Sequence, residues 1–168
     1  GWMPDAATQA ALASLQQRIR AALPADAPRH DWRTPAQWHM TLCYLGKSIS
    51  DSQRGRIDAT LPPFAAQATT AEASLVGAEY WPHARVLVAK IVASDALKAL
   101  LTQLETSMQD CGFAEGHTQT AHVTLAHLPR DAQAPAQPAI AFHTKQLHID
   151  RIHLLCTVPG AYMSLASW

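Results

Sequence analysis

The sequence predicts an α+β fold made of two similar lobes with antiparallel sheets facing each other across a central cleft and helices outside. Three observations carry this expectation. Short apolar strand candidates alternate with segments whose apolar residues recur at helical spacing. The order of helix, histidine-bearing strand and further strands occurs twice. The two histidine strands carry one pattern, His39-Met40-Thr41-Leu42 and His122-Val123-Thr124-Leu125, set about half the chain length apart. An internal duplication explains all three. A chain of 168 residues can bury one proper core and has no length for a second ordinary domain, so residues 1–168 read as a single unit.

The elements follow in order. Asp5 can cap a first helix in which Leu12, Leu15, Ile19 and Leu23 form one stripe before Pro24 stops it. Pro24 to Pro35 reads as loop. His39 to Leu45, closed by Gly46, reads as a strand. Ser50 or Asp51 can cap a second helix with Ile57 and Leu61 inward, which Pro62-Pro63 should end. Thr69 to Val76 and Val86 to Val92 are strand candidates joined across Tyr80-Trp81-Pro82-His83. Ser94 or Asp95 opens the clearest helix, with Leu97, Leu100, Leu101, Leu104 and Met108 on one side and Gly112 past its end. A strand His122 to Leu128 precedes a Pro- and Ala-rich connection from Pro129 to Pro138. Leu147 to Cys156 is a further strand whose apolar parity slips near Asp150-Arg151. Gly160 then turns the chain into a last strand ending at Trp168.

Composition narrows the function. No apolar run approaches the roughly 18 residues of a membrane span, and no basic stretch leads into an apolar signal core, so a cytoplasmic protein without membrane partners is expected. The opening Gly1-Trp2-Met3 reads as a processed, truncated or tagged end. Cys43, Cys111 and Cys156 are odd in number and far apart, which suits buried free thiols better than disulfides or a zinc site. Lysine and arginine total 13, as do aspartate and glutamate, so no global positive field favours long nucleic acid; a small or terminal phosphate fits better.

The paired motifs carry the chemistry. In a strand, residues i and i+2 share a face, so His39 projects with Thr41 and His122 with Thr124, while Met40, Leu42, Val123 and Leu125 turn to the core. Facing lobes then line a cleft with two imidazoles and two hydroxyls. In-line attack on phosphorus needs a proton acceptor on one side and a donor on the other, and imidazole serves as either near neutral pH. Threonine hydroxyls can donate to the charged non-bridging oxygens. One H-x-T-L among nine histidines is weak evidence, but two copies at equivalent places are not. No metal or cofactor is needed.

Trp38-His39-Met40-Thr41-Leu42-Cys43-Tyr44-Leu45-Gly46, the second motif, Ala84-Arg85-Val86-Leu87, and Tyr162 with Trp168 together resemble the RNA 2′,3′-cyclic phosphodiesterases, also called 2′-5′ RNA ligases, of the 2H phosphoesterase superfamily. The resemblance spans nearly the whole chain. It implies a bilobal α+β fold and RNA 2′,3′-cyclic phosphate ends or a small cyclic nucleotide as substrate, bound by a monomer. It implies His39 as general acid toward the departing 3′ oxygen, His122 as general base on water, a 2′-phosphate product, and 2′-5′ ligation in reverse. Residue equivalence alone leaves the two histidine roles interchangeable. Thr41 and Thr124 would hold the phosphate. Two departures stand out. Only Gly1-Trp2-Met3 precedes Pro4-Asp5 where the family has an apolar strand, so one lobe is expected to lack a strand. The family's arginine shortly after the second histidine is replaced by His127, with Arg130 beyond it; either could contact phosphate.

Tyr44 resembles a family aromatic near the nucleobase, yet strand parity sets it opposite His39 unless the strand bends. Tyr162 is expected at the cleft rim. Trp81, His83 and Arg85 sit where they could border the cleft or simply pack and hydrate. His143, His148 and His153 read as scattered surface residues, and His30 and His117 as loop residues. Arg18, Arg20, Arg54 and Arg56 read as solvated helix faces. Competing functions are another 2H reaction, on 2′-5′ oligonucleotides or nucleotide-derived cyclic phosphates, and a non-catalytic RNA-end or nucleotide-binding module.

Overall fold

Helix α1 (Ala6–Ala22) begins where Asp5, in extended conformation, accepts the Thr8 amide on its carboxylate at 2.7 Å. Its stripe of Leu12, Leu15 and Ile19 is buried in the main core. The computed structural model describes all residues except 68–69, 115–119, 131, 134, 136–139 and 141, and the side chain of Gln67. His117 and the first residue of the Thr69 strand therefore lie outside the described residues, as does much of the 129–138 connection.

One sheet is five-stranded and wholly antiparallel. It contains β1 (Asp31–Trp32), β2 (Ala71–Trp81), β3 (Val86–Ala93), β4 (His122–His127) and β5 (Lys145–Ile149), in the spatial order β1-β4-β3-β2-β5. One face carries Leu75, Leu87, Ala89, Ile91, Val123, Leu125 and Leu147, which join the helix stripes in one core. That core includes Leu97, Leu100, Leu104 and Met108 of α3 (Asp95–Asp110), whose start is capped by the Ser94 hydroxyl accepting from the Leu97 amide.

The second sheet is the hairpin β6 (His153–Val158) and β7 (Ala161–Ser167), turned at Gly160 with φ of 75°, where a side chain would be strained. Residues 1–3 widen it. Trp2 and Met40 exchange both backbone hydrogen bonds, at 2.8 and 2.9 Å, and the His153 amide donates to the Gly1 carbonyl at 2.8 Å. The lobe expected to lack a strand thus has Gly1-Trp2-Met3 in that place, between Met40 and β6, with Trp2 only 3% exposed.

Several expectations are corrected. The segment from His39 to Leu45 is not a full strand: it pairs only at Met40, because its neighbour is just the short segment around Trp2. Helix α2 (Asp51–Gln67) runs through Pro62-Pro63. The carbonyls those prolines leave unpaired belong to Asp58 and Ala59, both exposed residues, while Leu61 and Phe64 hold the turn against the core. Ser50 and Gln53 close its start with reciprocal bonds of 3.0 and 3.2 Å. Tyr80 and Trp81 belong to β2, and the turn is residues 82–85. The Leu147–Cys156 strand is two strands in different sheets. The parity slip at Asp150-Arg151 is the crossing from one lobe to the other. Strand β1 falls inside the segment expected to be loop.

Candidate active site

The half-site on the large sheet follows from its register. His122 pairs with Lys90, Thr124 with Val88 and His127 with Val86, so all three side chains share the face opposite the core. Simple alternation would turn His127 away from His122. Leu125 is the extra residue of a β-bulge between Thr124 and Ala126, and it restores His127 to the histidine face. The bulge is held from behind: buried Gln16 of α1 donates to the carbonyls of Leu125 at 3.2 Å and Arg33 at 2.9 Å.

His122 donates its Nδ1–H to the Thr120 carbonyl at 2.7 Å, which leaves Nε2 as the free nitrogen. The Trp81 ring lies against it, with centroids 4.6 Å apart. Trp81 shares this face through its pairing with Val86.

The other half-site repeats the tether without the regular strand. His39 donates Nδ1–H to the Gln37 carbonyl at 3.1 Å, and the Thr41 hydroxyl donates to Nε2 at 3.4 Å. Gln37 ends a single 3₁₀ turn, Pro35–Gln37, that delivers the chain into the motif. Tyr162 of β7 packs on the imidazole at 3.8 Å between centroids. Burial pushes the His39 pKa below its ordinary 6.5, against the Gln37 bond that raises it, and a charge on nearby His122 adds to the lowering.

A cavity of ≈ 680 Å³ opens beside His39, Thr41 and Tyr162 and runs beneath residues 43–49 to Leu61 of α2 and Leu104 of α3. Tyr44, 62% exposed, lines it. The chain leaves strand geometry after Thr41, so the parity that would set Tyr44 opposite His39 does not apply. Cys43, Cys156 and His153, all half-buried, line the same cavity, so of the three thiols expected to be buried only Cys111 is.

Arg130 stands exposed just beyond β4, outside this lining. Arg33 is a cation that sequence reasoning missed, as is Lys90, which pairs with His122 and bonds Glu79 at 3.0 Å. Asp31 pairs with His127, and Arg33, two residues on, bonds Asp31 at 3.3 Å, so its guanidinium comes to the histidine face. Burial lowers the His127 pKa first, and the charge of Arg33 lowers it further. Nothing in the local sequence marks β1, a two-residue strand inside a Pro-flanked segment. Trp81 touches His122, whereas His83 and Arg85 lie in the exposed turn, Arg85 at φ of 53°. His30 lies in the loop before β1, as expected, but its side chain is buried there, donating to the Pro28 carbonyl and accepting from the Tyr80 hydroxyl at 2.6 Å. Arg20 lies over the Trp32 ring and Arg56 donates to the Cys111 carbonyl, so neither is merely solvated. Among the described residues no three His, Cys, Asp or Glu side chains converge as a metal set, and no helix is long and apolar enough to cross a membrane.

A protein-family model, the 2'-5' RNA ligase superfamily, matches residues 39–159. Among solved structures, TT0787 of Thermus thermophilus superposes with a TM-score of 0.79 at 21% identity, over 99% of this chain and 93% of that one. The crystal structure of a phosphoesterase gives 0.74 at 16% identity, covering 99% and 92%. E. coli LigT complexed with 3'-AMP gives 0.72 at 16% identity, again covering 99% and 92%. At these identities the likeness shows the fold, an α+β 2H phosphoesterase fold. No curated protein matches the sequence.

Proposed function

Because the chain belongs to the 2'-5' RNA ligase superfamily, we propose that it hydrolyses RNA 2′,3′-cyclic phosphate ends to 2′-phosphomonoesters, with His39 and His122 as its acid–base pair. The carrying observation is the matched tether. Each imidazole gives Nδ1–H to the carbonyl two residues before it, so each offers Nε2 for proton transfer beside a threonine hydroxyl. Nucleotide binding by a protein of the same fold, LigT with 3'-AMP, supports the substrate class.

In the proposed reaction His122 Nε2 takes a proton from water as its oxygen bonds to phosphorus. The bond from phosphorus to the 3′ oxygen breaks, and His39 gives that oxygen its proton. His122 is left protonated and His39 neutral, and exchange with solvent resets the pair. Thr41 and Thr124 donate to the non-bridging oxygens. Arg33, beside His127, supplies the positive charge that the family places on an arginine after the second motif. Tyr162 covers His39 and Tyr44 rims the adjoining cavity; Arg130 has no assigned role. The acid and base assignments follow the family resemblance, and the same chemistry reversed is 2′-5′ ligation.

The test is incubation with nucleoside 2′,3′-cyclic phosphates and a cyclic-phosphate-ended RNA in excess EDTA, with the product isomer read by phosphorus NMR. A 2′-phosphate that survives EDTA is expected. His39→Ala and His122→Ala should each lower kcat by about 10² to 10⁴. Unchanged turnover in both variants would sink the mechanism, and activity abolished by EDTA would point to a metal enzyme.

A further inference from the structure

Two side chains border His122 on the open face of the large sheet. Trp81, which pairs with Val86, lays its ring on the imidazole at 4.6 Å between centroids and closes the Val86 end. Lys90 stands at the other end as the direct cross-strand partner of His122, and the Cβ atoms of such a pair lie about 5 Å apart on one face. The partner of Lys90 on its far side is Gly77, where a Cβ would meet nothing within 4 Å, so the floor beyond Lys90 is bare backbone with open space beside it. Lys90 is half-exposed, and its Nζ meets the Glu79 carboxylate at 3.0 Å. An exposed pair of this kind adds little stability and gives up its partner readily.

Position decides what that ammonium can take. Val88 pairs with Thr124, the hydroxyl assigned to the reacting phosphate, and Lys90 lies two residues further along β3, about 7 Å away. That distance is close to the separation of successive phosphates in an extended nucleotide chain. His122 serves the oxygen that attacks. When that oxygen is a 5′-hydroxyl instead of water, it bonds to phosphorus and gives its proton to His122. The bond to the 3′ oxygen breaks, His39 protonates that oxygen, and a 2′-5′ diester results. The nucleoside so joined carries its own next phosphate on its 3′ oxygen. Resting on the acid–base reading, we propose that Lys90 binds this second phosphate in place of Glu79, and so selects the nucleotide chains that fit on the His122 side. An ammonium is a point charge, so the preference is for the phosphate and not for a base.

The experiment measures calorimetric binding of 3′-deoxyadenylyl-(2′-5′)-adenosine, with and without a phosphate on the 3′ oxygen of its second nucleoside. The 3′-deoxy sugar lacks the hydroxyl that would attack the diester, so the probe persists. At low salt the added phosphate should tighten Kd roughly fivefold or more, and the gain should shrink as salt rises. Lys90→Gln should erase the difference. Glu79→Gln removes the competing carboxylate and should enlarge it. The pair is half-exposed, so both variants should fold. Opposite signs for the two variants separate a phosphate site from a structural ion pair, in which both substitutions act alike. A wild-type difference below about threefold, one that survives Lys90→Gln, or one that Glu79→Gln diminishes, overturns the assignment. Absence of binding by the phosphorylated probe does the same. The comparison needs no turnover, so failure of the hydrolase reading shows in its own assay and leaves this one to be decided separately.

Discussion

An imidazole that exchanges protons during turnover must present a single nitrogen, in one tautomer, to the reacting atoms. Both motif histidines meet this through a backbone carbonyl on Nδ1, an acceptor that no side-chain substitution removes. They differ in what covers them. Tyr162 and its surroundings keep water from His39, so its proton is lost at a lower pH than from an ordinary imidazole. One limb of a bell-shaped profile of kcat/KM against pH should therefore fall below 6.5, the ordinary histidine value. Tyr162→Ala, which lets water reach the ring, should move that limb upward; a limb that stays put would show that Tyr162 does not govern the desolvation. At this scale the sequence was most informative, because the i, i+2 rule places each threonine with its histidine wherever the backbone is extended. Tyr44 escaped the rule because its segment is no longer a strand. Trp81 and Arg33 reach the histidine face through pairings between distant segments, which no local pattern records.

Among the elements, β4 shows how one inserted residue alters a site. Without the bulge at Leu125, His127 would point into the core with Val123, and Ala126 would stand on the cleft face in its place. Gln16 is the side chain that ties this irregular backbone to α1, and it is buried between two carbonyls. Gln16→Ala removes both bonds at once and should destabilise the fold by about 1–3 kcal/mol in urea denaturation. It should also lower kcat/KM more than the lost stability explains, since the bulge sets the position of His127. Equal stability and activity would show that the bulge holds itself. The helices were legible in the sequence from their stripes and caps, and so were the long strands from their composition. Helix α2 continued through its prolines because hydration at exposed carbonyls costs little, a condition a sequence pattern does not show. The division of β5 from β6 was visible only as a parity slip, because a strand's sheet is a tertiary matter.

For the whole molecule, pH links the site to stability. His39, His127 and His153 all have lowered pKa values, for which burial is the first cause. The unfolded chain then binds protons at a pH where the folded chain does not, so the histidines' contribution to stability is full above about 6.5 and is lost as pH falls through the lower folded values. Melting temperature should drop between pH 7 and pH 5, before the carboxylates titrate, and the drop should be shallower in His39→Gln. A flat curve over that interval would contradict the burial described. The paired motifs made a two-lobed arrangement legible, but not its inequality: five strands stand on the His122 side, and a hairpin extended by single pairings stands on the other.

That inequality bears on how the protein moves. The Met40 segment is joined to its lobe by one reciprocal pair of backbone bonds to Trp2, whereas β4 is flanked by β1 and β3. Fewer bonds must break to free the first segment, so it should open locally while the rest of the molecule stays closed. Amide protons of Trp2 and Met40 should exchange with deuterated solvent well before those of Ala89 and Val123, in native conditions and without global unfolding. Simultaneous exchange would mean that both jaws share one cooperative unit. With separate rates, the cleft has one stiff wall and one compliant wall.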